Sequence, residues 1–160
     1  MKKLQIILSI LIIFALSIIS CEKDSGTEPN NIIATEKWEH IADEGLGSGN
    51  WTFEKMEDNS ITVDGTWLYS YSSFGATLEV TCPFSDGTVT VSEANMSFTA
   101  SGTATIPNFG SSPFDLAVTG TCSNGEGEGT YIITFSTEGW PDKIEGNWTG
   151  SRSSGSGITQ

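Results

Sequence analysis

The sequence predicts an all-β domain, an antiparallel meander of about eight or nine strands that closes as an up-and-down barrel in preference to splitting into a sandwich. Three observations carry that expectation. From about residue 50 onward apolar and polar residues alternate in period two, the spacing of strands with one buried face. Asp64-Gly65, Asp86-Gly87 and Asn124-Gly125 are dipeptides that tolerate the positive φ angles of tight hairpins. Threonine, valine, isoleucine and aromatic residues fill the intervening runs, as pleated surfaces favour. Closure removes the exposed edges on which other strands could pair.

Taken in order, the expected strands are 51–56, 60–63, 66–72, 76–82, 88–92, 95–106 with a bend at Gly102, 114–122, 129–137 and 144–152. Each is bounded by glycine, asparagine, aspartate or serine, the residues that reverse a chain. Ahead of them Thr35–Glu44 carries Trp38, Ile41 and Ala42 at i, i+3 and i+4 before Gly45. This spacing predicts a short helix, with an irregular segment as the alternative. The domain is expected over residues 37–152, with 153–160, rich in serine and glycine, as a flexible tail.

The first twenty residues have a different grammar. Met1-Lys2-Lys3 is a short positive start, and Leu4 to Ile19 is an uncharged, mostly apolar run, the layout of a secretory signal. Sixteen residues reach about 24 Å as a helix, short of the ~30 Å of a bilayer core. Ile18-Ile19-Ser20-Cys21 resembles the bacterial lipobox, with an aliphatic residue at −3, a small one at −1 and the cysteine. The resemblance implies that residues 1–20 are removed and that Cys21 carries lipid. Residues 21–36 then read as a polar, flexible tether, and the membrane becomes a partner through the lipid on Cys21. Cys21-Glu22-Lys23-Asp24 is similar to the start of lipoproteins of the Bacteroidota, which implies a cell envelope location at the outer membrane, on its surface or its periplasmic face.

Charge narrows the partners. The chain has 7 basic and 20 acidic residues, and loss of Lys2 and Lys3 would take the net charge from −13 to −15. Nucleic acid is excluded, because its binding needs lysine and arginine against phosphate. With Cys21 given to lipid, Cys82 and Cys122 remain, each in phase with the apolar face of its strand. In an oxidising compartment they either form a disulfide or stay as two separate buried thiols.

Gly49-Asn50-Trp51-Thr52 recurs as Gly146-Asn147-Trp148-Thr149, and Gly65-Thr66-Trp67 is a third Gly-X-Trp. A Gly-X-Trp on an early strand with an arginine on the last resembles the lipocalin and calycin barrels. Arg152 is the single arginine and shares phase with Trp148. The resemblance implies that its guanidinium packs across an indole and that the barrel mouth takes a small ligand. Trp67, Tyr69 and Tyr71 form an aromatic stripe on one strand face, able to stack on a glycan, line an apolar cavity or fill the core.

No catalytic constellation is legible. The one histidine, His40, has no Gly-X-Ser-X-Gly elbow beside it, and no cofactor or metal motif is present. The expected role is a membrane-anchored binding module for a glycan or a small apolar ligand. The alternative is a structural or protein-interaction lipoprotein of the envelope with no pocket.

Overall fold

The computed structural model describes residues 31–43, 47–73 and 76–160, and the side chains of 71–76 are not part of that description. The signal segment 1–20, Cys21 and the tether up to residue 30 lie outside it. Eight strands follow one another: β1 (Ile32–Ala42), β2 (Gly47–Met56), β3 (Ile61–Ser73), β4 (Ala76–Ser92), β5 (Asn95–Ile106), β6 (Gly110–Ser123), β7 (Glu126–Phe135) and β8 (Lys143–Gly155). Each pairs antiparallel with the next, and β1 pairs with β8, so the sheet closes into an up-and-down barrel.

Alternation decides which side chains enter. On β1, Glu36, Trp38, His40 and Ala42 point inward, while Lys37, Glu39 and Ile41 point outward. On β6 the inward set is Ser112, Phe114, Leu116, Val118 and Cys122. Outward positions such as Thr99, Ser101 and Thr103 on β5 are polar, so the outer wall suits water and the apolar side is the inside. That is the reverse of a lipid-facing barrel. Each buried aromatic contributes about 1.5–3 kcal/mol relative to exposure.

Where a helix is expected over Thr35–Glu44, residues 35–42 belong to strand β1. Its i, i+3, i+4 pattern arose because two inward positions, Glu36 and His40, are polar and hide the period-two alternation, while Ile41, 57% exposed, faces outward. Closure requires this segment to pair on both sides, with β2 and with β8.

Two expected hairpins are bulges. Strands 60–63 and 66–72 are one strand, β3, and 76–82 and 88–92 are one strand, β4. The ladder shifts register between Val63 and Gly65 and again between Ser85 and Thr88. Asp64 and Asp86 meet there, the Asp86 N–H donating to Asp64 Oδ1 at 2.7 Å. Asp86 uses its positive φ of 53° to make the bulge rather than a reversal. Asn124-Gly125, with φ of 56° and 80°, does reverse the chain between β6 and β7.

The Gly-X-Trp elements pack reciprocally. Gly49 pairs with Trp67 and Trp51 with Gly65 across β2 and β3. On β7 and β8, Gly129 pairs with Trp148 and Tyr131 with Gly146. The space for the rings comes from other glycines: the Trp148 ring comes within 2.6 Å of where a Cβ at Gly120 would stand and 2.9 Å of one at Gly127, and Trp67 Nε1 within 3.3 Å of one at Gly47.

One end of the barrel is sealed. Glu36, fully buried, accepts hydrogen bonds from Arg152 Nη1 (3.0 Å), the Ile158 N–H (2.9 Å), the Thr159 N–H (3.1 Å) and the Thr159 hydroxyl (2.7 Å). Trp38 Nε1 donates at 3.3 Å to Glu36 Oε2, the oxygen that also takes the Thr159 hydroxyl. Arg152 is therefore paired with a carboxylate, and among the described residues the indole stacking implied by the lipocalin resemblance is not seen. Thr159 is buried and Ile158 packs against the core, so both the 37–152 domain span and the 153–160 tail are exceeded by packed residues, from Glu36 to Thr159.

Cys82 and Cys122 are both buried and both free thiols, which corrects the disulfide alternative. They flank β5 on opposite sides and at opposite heights. Cys82 lies between the pairings Thr81↔Thr105 and Phe84↔Gly102, whereas Cys122 follows the pairing Asn95↔Thr121. About ten residues of strand separate these levels, roughly 30 Å at ~3.3 Å per residue, far beyond the ~7 Å that a bridge spans between Cα atoms.

Candidate binding site at the open end of the barrel

The end opposite the Glu36 seal receives Asp43 and the segments 107–109 and 136–142. Its floor is built of rings. His40 lies between Trp51 (centroids 4.5 Å apart, 20° between planes) and Trp67 (4.0 Å). Trp67 meets Tyr131 at 4.5 Å with 41° between their planes, and Trp51 meets Trp148 edge-on at 5.2 Å. The middle of the barrel is thus filled with side chains and holds no open channel.

Asp43 braces this end. Its carboxylate accepts from the Tyr131 hydroxyl at 2.9 Å and from the Asn147 N–H at 2.8 Å. A Cβ at position 146 would overlap that carboxylate, so Gly146 is what admits Asp43. Burial, then the Asp43 hydrogen bond and charge, push the Tyr131 hydroxyl well above its usual range, leaving it a neutral donor.

Above this floor opens a cup of about 580 Å³. Tyr69, Leu78 and Val80 from β3 and β4 form one wall, and Ile106 and Phe109 from the β5–β6 reversal form a second. Phe135, Trp140 and Ile144 from around the β7–β8 segment complete it. Phe135 and Trp140 lie 5.3 Å apart with 40° between their planes. Phe109 is 70% exposed at the lip; a ring this open beside an apolar hollow is the arrangement by which proteins hold apolar ligands. A wider concavity of about 760 Å³ crosses the outer wall of β1, β2 and β8, but polar side chains such as Lys37, Glu39, Asn50 and Ser151 line it.

The aromatic stripe expected on β3 is divided by depth. Trp67 is fully buried in the floor, Tyr69 is half-buried in the cup wall, and the Tyr71 side chain lies outside the description. His40 is sealed beneath, neither ring nitrogen meeting a hydrogen-bond partner among the described residues, and burial alone drives its pKa down to about 3. It is neutral at pH 7. Burial likewise raises Cys82 to about 12 and Cys122 to about 11, so neither thiol is a ready nucleophile. Among the described residues no three His, Cys, Asp or Glu side chains converge to hold a metal ion.

Phe109, Phe135 and Trp140 are not among the ligand-binding candidates that the sequence offers, Trp67, Tyr69 and Tyr71. The available signal was a bulky ring inside turn-like runs, Pro107-Asn108-Phe109 and Gly139-Trp140-Pro141, where solvated polar residues would be expected. Neither a protein-family model nor a curated protein matches the chain.

Proposed function

We propose that this protein is a lipid-anchored binding module of the bacterial envelope that takes a small apolar ligand into the cup at the open end of its barrel. The observation that carries the reading is the cup itself, with Phe109 exposed at its lip over walls of Tyr69, Leu78, Ile106 and Trp140. Leaving such a surface open to water costs stability, and a ligand that covers it recovers the loss. The glycan alternative is weaker, because Trp67 is fully buried and offers no face to a sugar ring.

The anchor is Cys21 in Ile18-Ile19-Ser20-Cys21. β1 starts at the Glu36 end and the cup opens at the other, so a lipid at Cys21 would present the cup away from its own membrane. Incorporation of labelled palmitate into the wild-type chain and its loss in Cys21→Ser tests the anchor; no incorporation would remove it.

Binding of an uncharged fluorescent naphthylamine, read as emission enhancement, tests the cup. Phe109→Ser should weaken it roughly five- to tenfold, the equivalent of ~1–1.4 kcal/mol. Absence of saturable binding would favour the second reading, a structural lipoprotein, for which the ring-filled barrel centre is the supporting observation.

A further inference from the structure

We propose that the cup selects organic cations with a flat apolar body over anions of the same shape. The inference rests on the apolar-ligand reading and adds the charge of the ligand. Among the residues lining the cup, Tyr69, Phe109, Phe135 and Trp140 supply aromatic faces, and the one charged side chain is Glu138. No lysine, arginine or histidine is among them. Ring faces carry negative electrostatic potential and attract a cation within about 6 Å of their centroids.

The surroundings have the same sign. The segment joining β7 to β8 carries Glu138 and Asp142, both exposed, and no base. The nearest base in sequence, Lys143, opens β8 on an outward position and is held by Glu145 at 2.7 Å. Beside β7 and β8, where it accepts from Tyr131 and Asn147, Asp43 adds a carboxylate at this end of the barrel, and the chain as a whole carries −13. A carboxylate or sulfonate ligand entering this mouth would meet only repulsion, whereas an ammonium group on an aromatic or alicyclic body would gain both the ring faces and Glu138.

The test uses the full chain in phosphatidylcholine vesicles, with protein-free vesicles as blank, and equilibrium dialysis of three probes sharing one ring. These are naphthylmethylammonium, the neutral naphthylmethanol and naphthoate. The expected order is cation, then neutral, then anion, with roughly tenfold or more between first and last. Glu138→Gln, a change at an exposed position, should shrink the cation-to-anion ratio severalfold, and Glu138→Lys should bring it to one or below. If naphthylmethanol binds and naphthoate binds as well as the ammonium, the charge selection is overturned while the cup stands. If none of the three binds above the blank, the cup reading falls and this one with it.

Discussion

Gly49 stands directly across from Trp67 in the β2–β3 ladder, and the reciprocal pair, Trp51 and Gly65, follows two residues along. A Cβ at Gly49 would overlap the Thr66 carbonyl and press to 2.9 Å on His40 Cε1. Both obstacles belong to a packed interior that cannot retreat. Gly49→Ala should therefore cost about 2–3 kcal/mol as overpacking, read as a lowered urea midpoint at unchanged slope. Gly47→Ala, whose nearest obstacles lie at 3.1 Å, should cost less. Equal midpoints for the two variants would contradict the packing described.

Acid should unfold the barrel in two stages, each with its own residue. His40 is neutral when folded, with its pKa near 3 against an ordinary 6.5, so the unfolded chain takes up a proton first. Stability should fall by about 1.4 kcal/mol per pH unit below 6.5, a loss that continues toward pH 3. Glu36 acts from lower pH. Burial pushes its pKa up, but the hydrogen bonds from Thr159, Ile158 and Trp38 together outweigh it and leave the pKa lowered from 4.5. Its contribution is whole above 4.5 and is lost as pH falls through the folded value. His40→Phe should flatten the profile between pH 6.5 and 4.5 and leave the lower limb; an unchanged upper limb would exclude His40 as its cause.

Removing the Glu36 carboxylate should be among the most damaging single changes. Glu36→Ala leaves the Ile158 and Thr159 N–H groups without their acceptor and Arg152 without its carboxylate partner, and deleting one partner of a buried charge pair costs about 3–5 kcal/mol. Denaturation of Glu36→Ala, Arg152→Met and the double variant measures the coupling. Additive losses would mean that the pair at 3.0 Å carries no interaction of its own.

The two thiols should be silent. With Cys82 and Cys122 free, buried and raised to about 12 and 11, an aromatic disulfide reagent should label neither in native protein and both in denaturant. The mass of the chain should be the same with and without reductant. A two-dalton difference would reveal a bridge and contradict the geometry.

The barrel was legible in the sequence because period-two alternation from residue 51 and the residue types agree with one another over nearly the whole chain. It failed to show at β1, where inward Glu36 and His40 interrupt the apolar phase, since their partners, Thr159 and the indoles of Trp51 and Trp67, come from elsewhere in the chain. Asp-Gly was misread for a related reason. A positive φ serves a bulge as well as a hairpin, and which one forms at Asp86 depends on Asp64, 22 residues away. The cup was invisible because Phe109, from the β5–β6 reversal, meets Phe135 and Trp140, from the β7–β8 reversal, only when those two hairpins close around one end. Of the three ligand-binding candidates Trp67, Tyr69 and Tyr71, Tyr69 lines the cup.

Thr159 locks onto Glu36 from beyond the last strand, so the seal is made of residues that leave the ribosome after β8 does. β1 has its second neighbour only when β8 arrives, and the Glu36 carboxylate lacks three of its donors until Ile158 and Thr159 follow. Closure therefore waits for residues beyond β8, with a loop of more than a hundred residues to draw together (|i−j| = 123 for the Glu36–Thr159 bond), a slow step by its contact order.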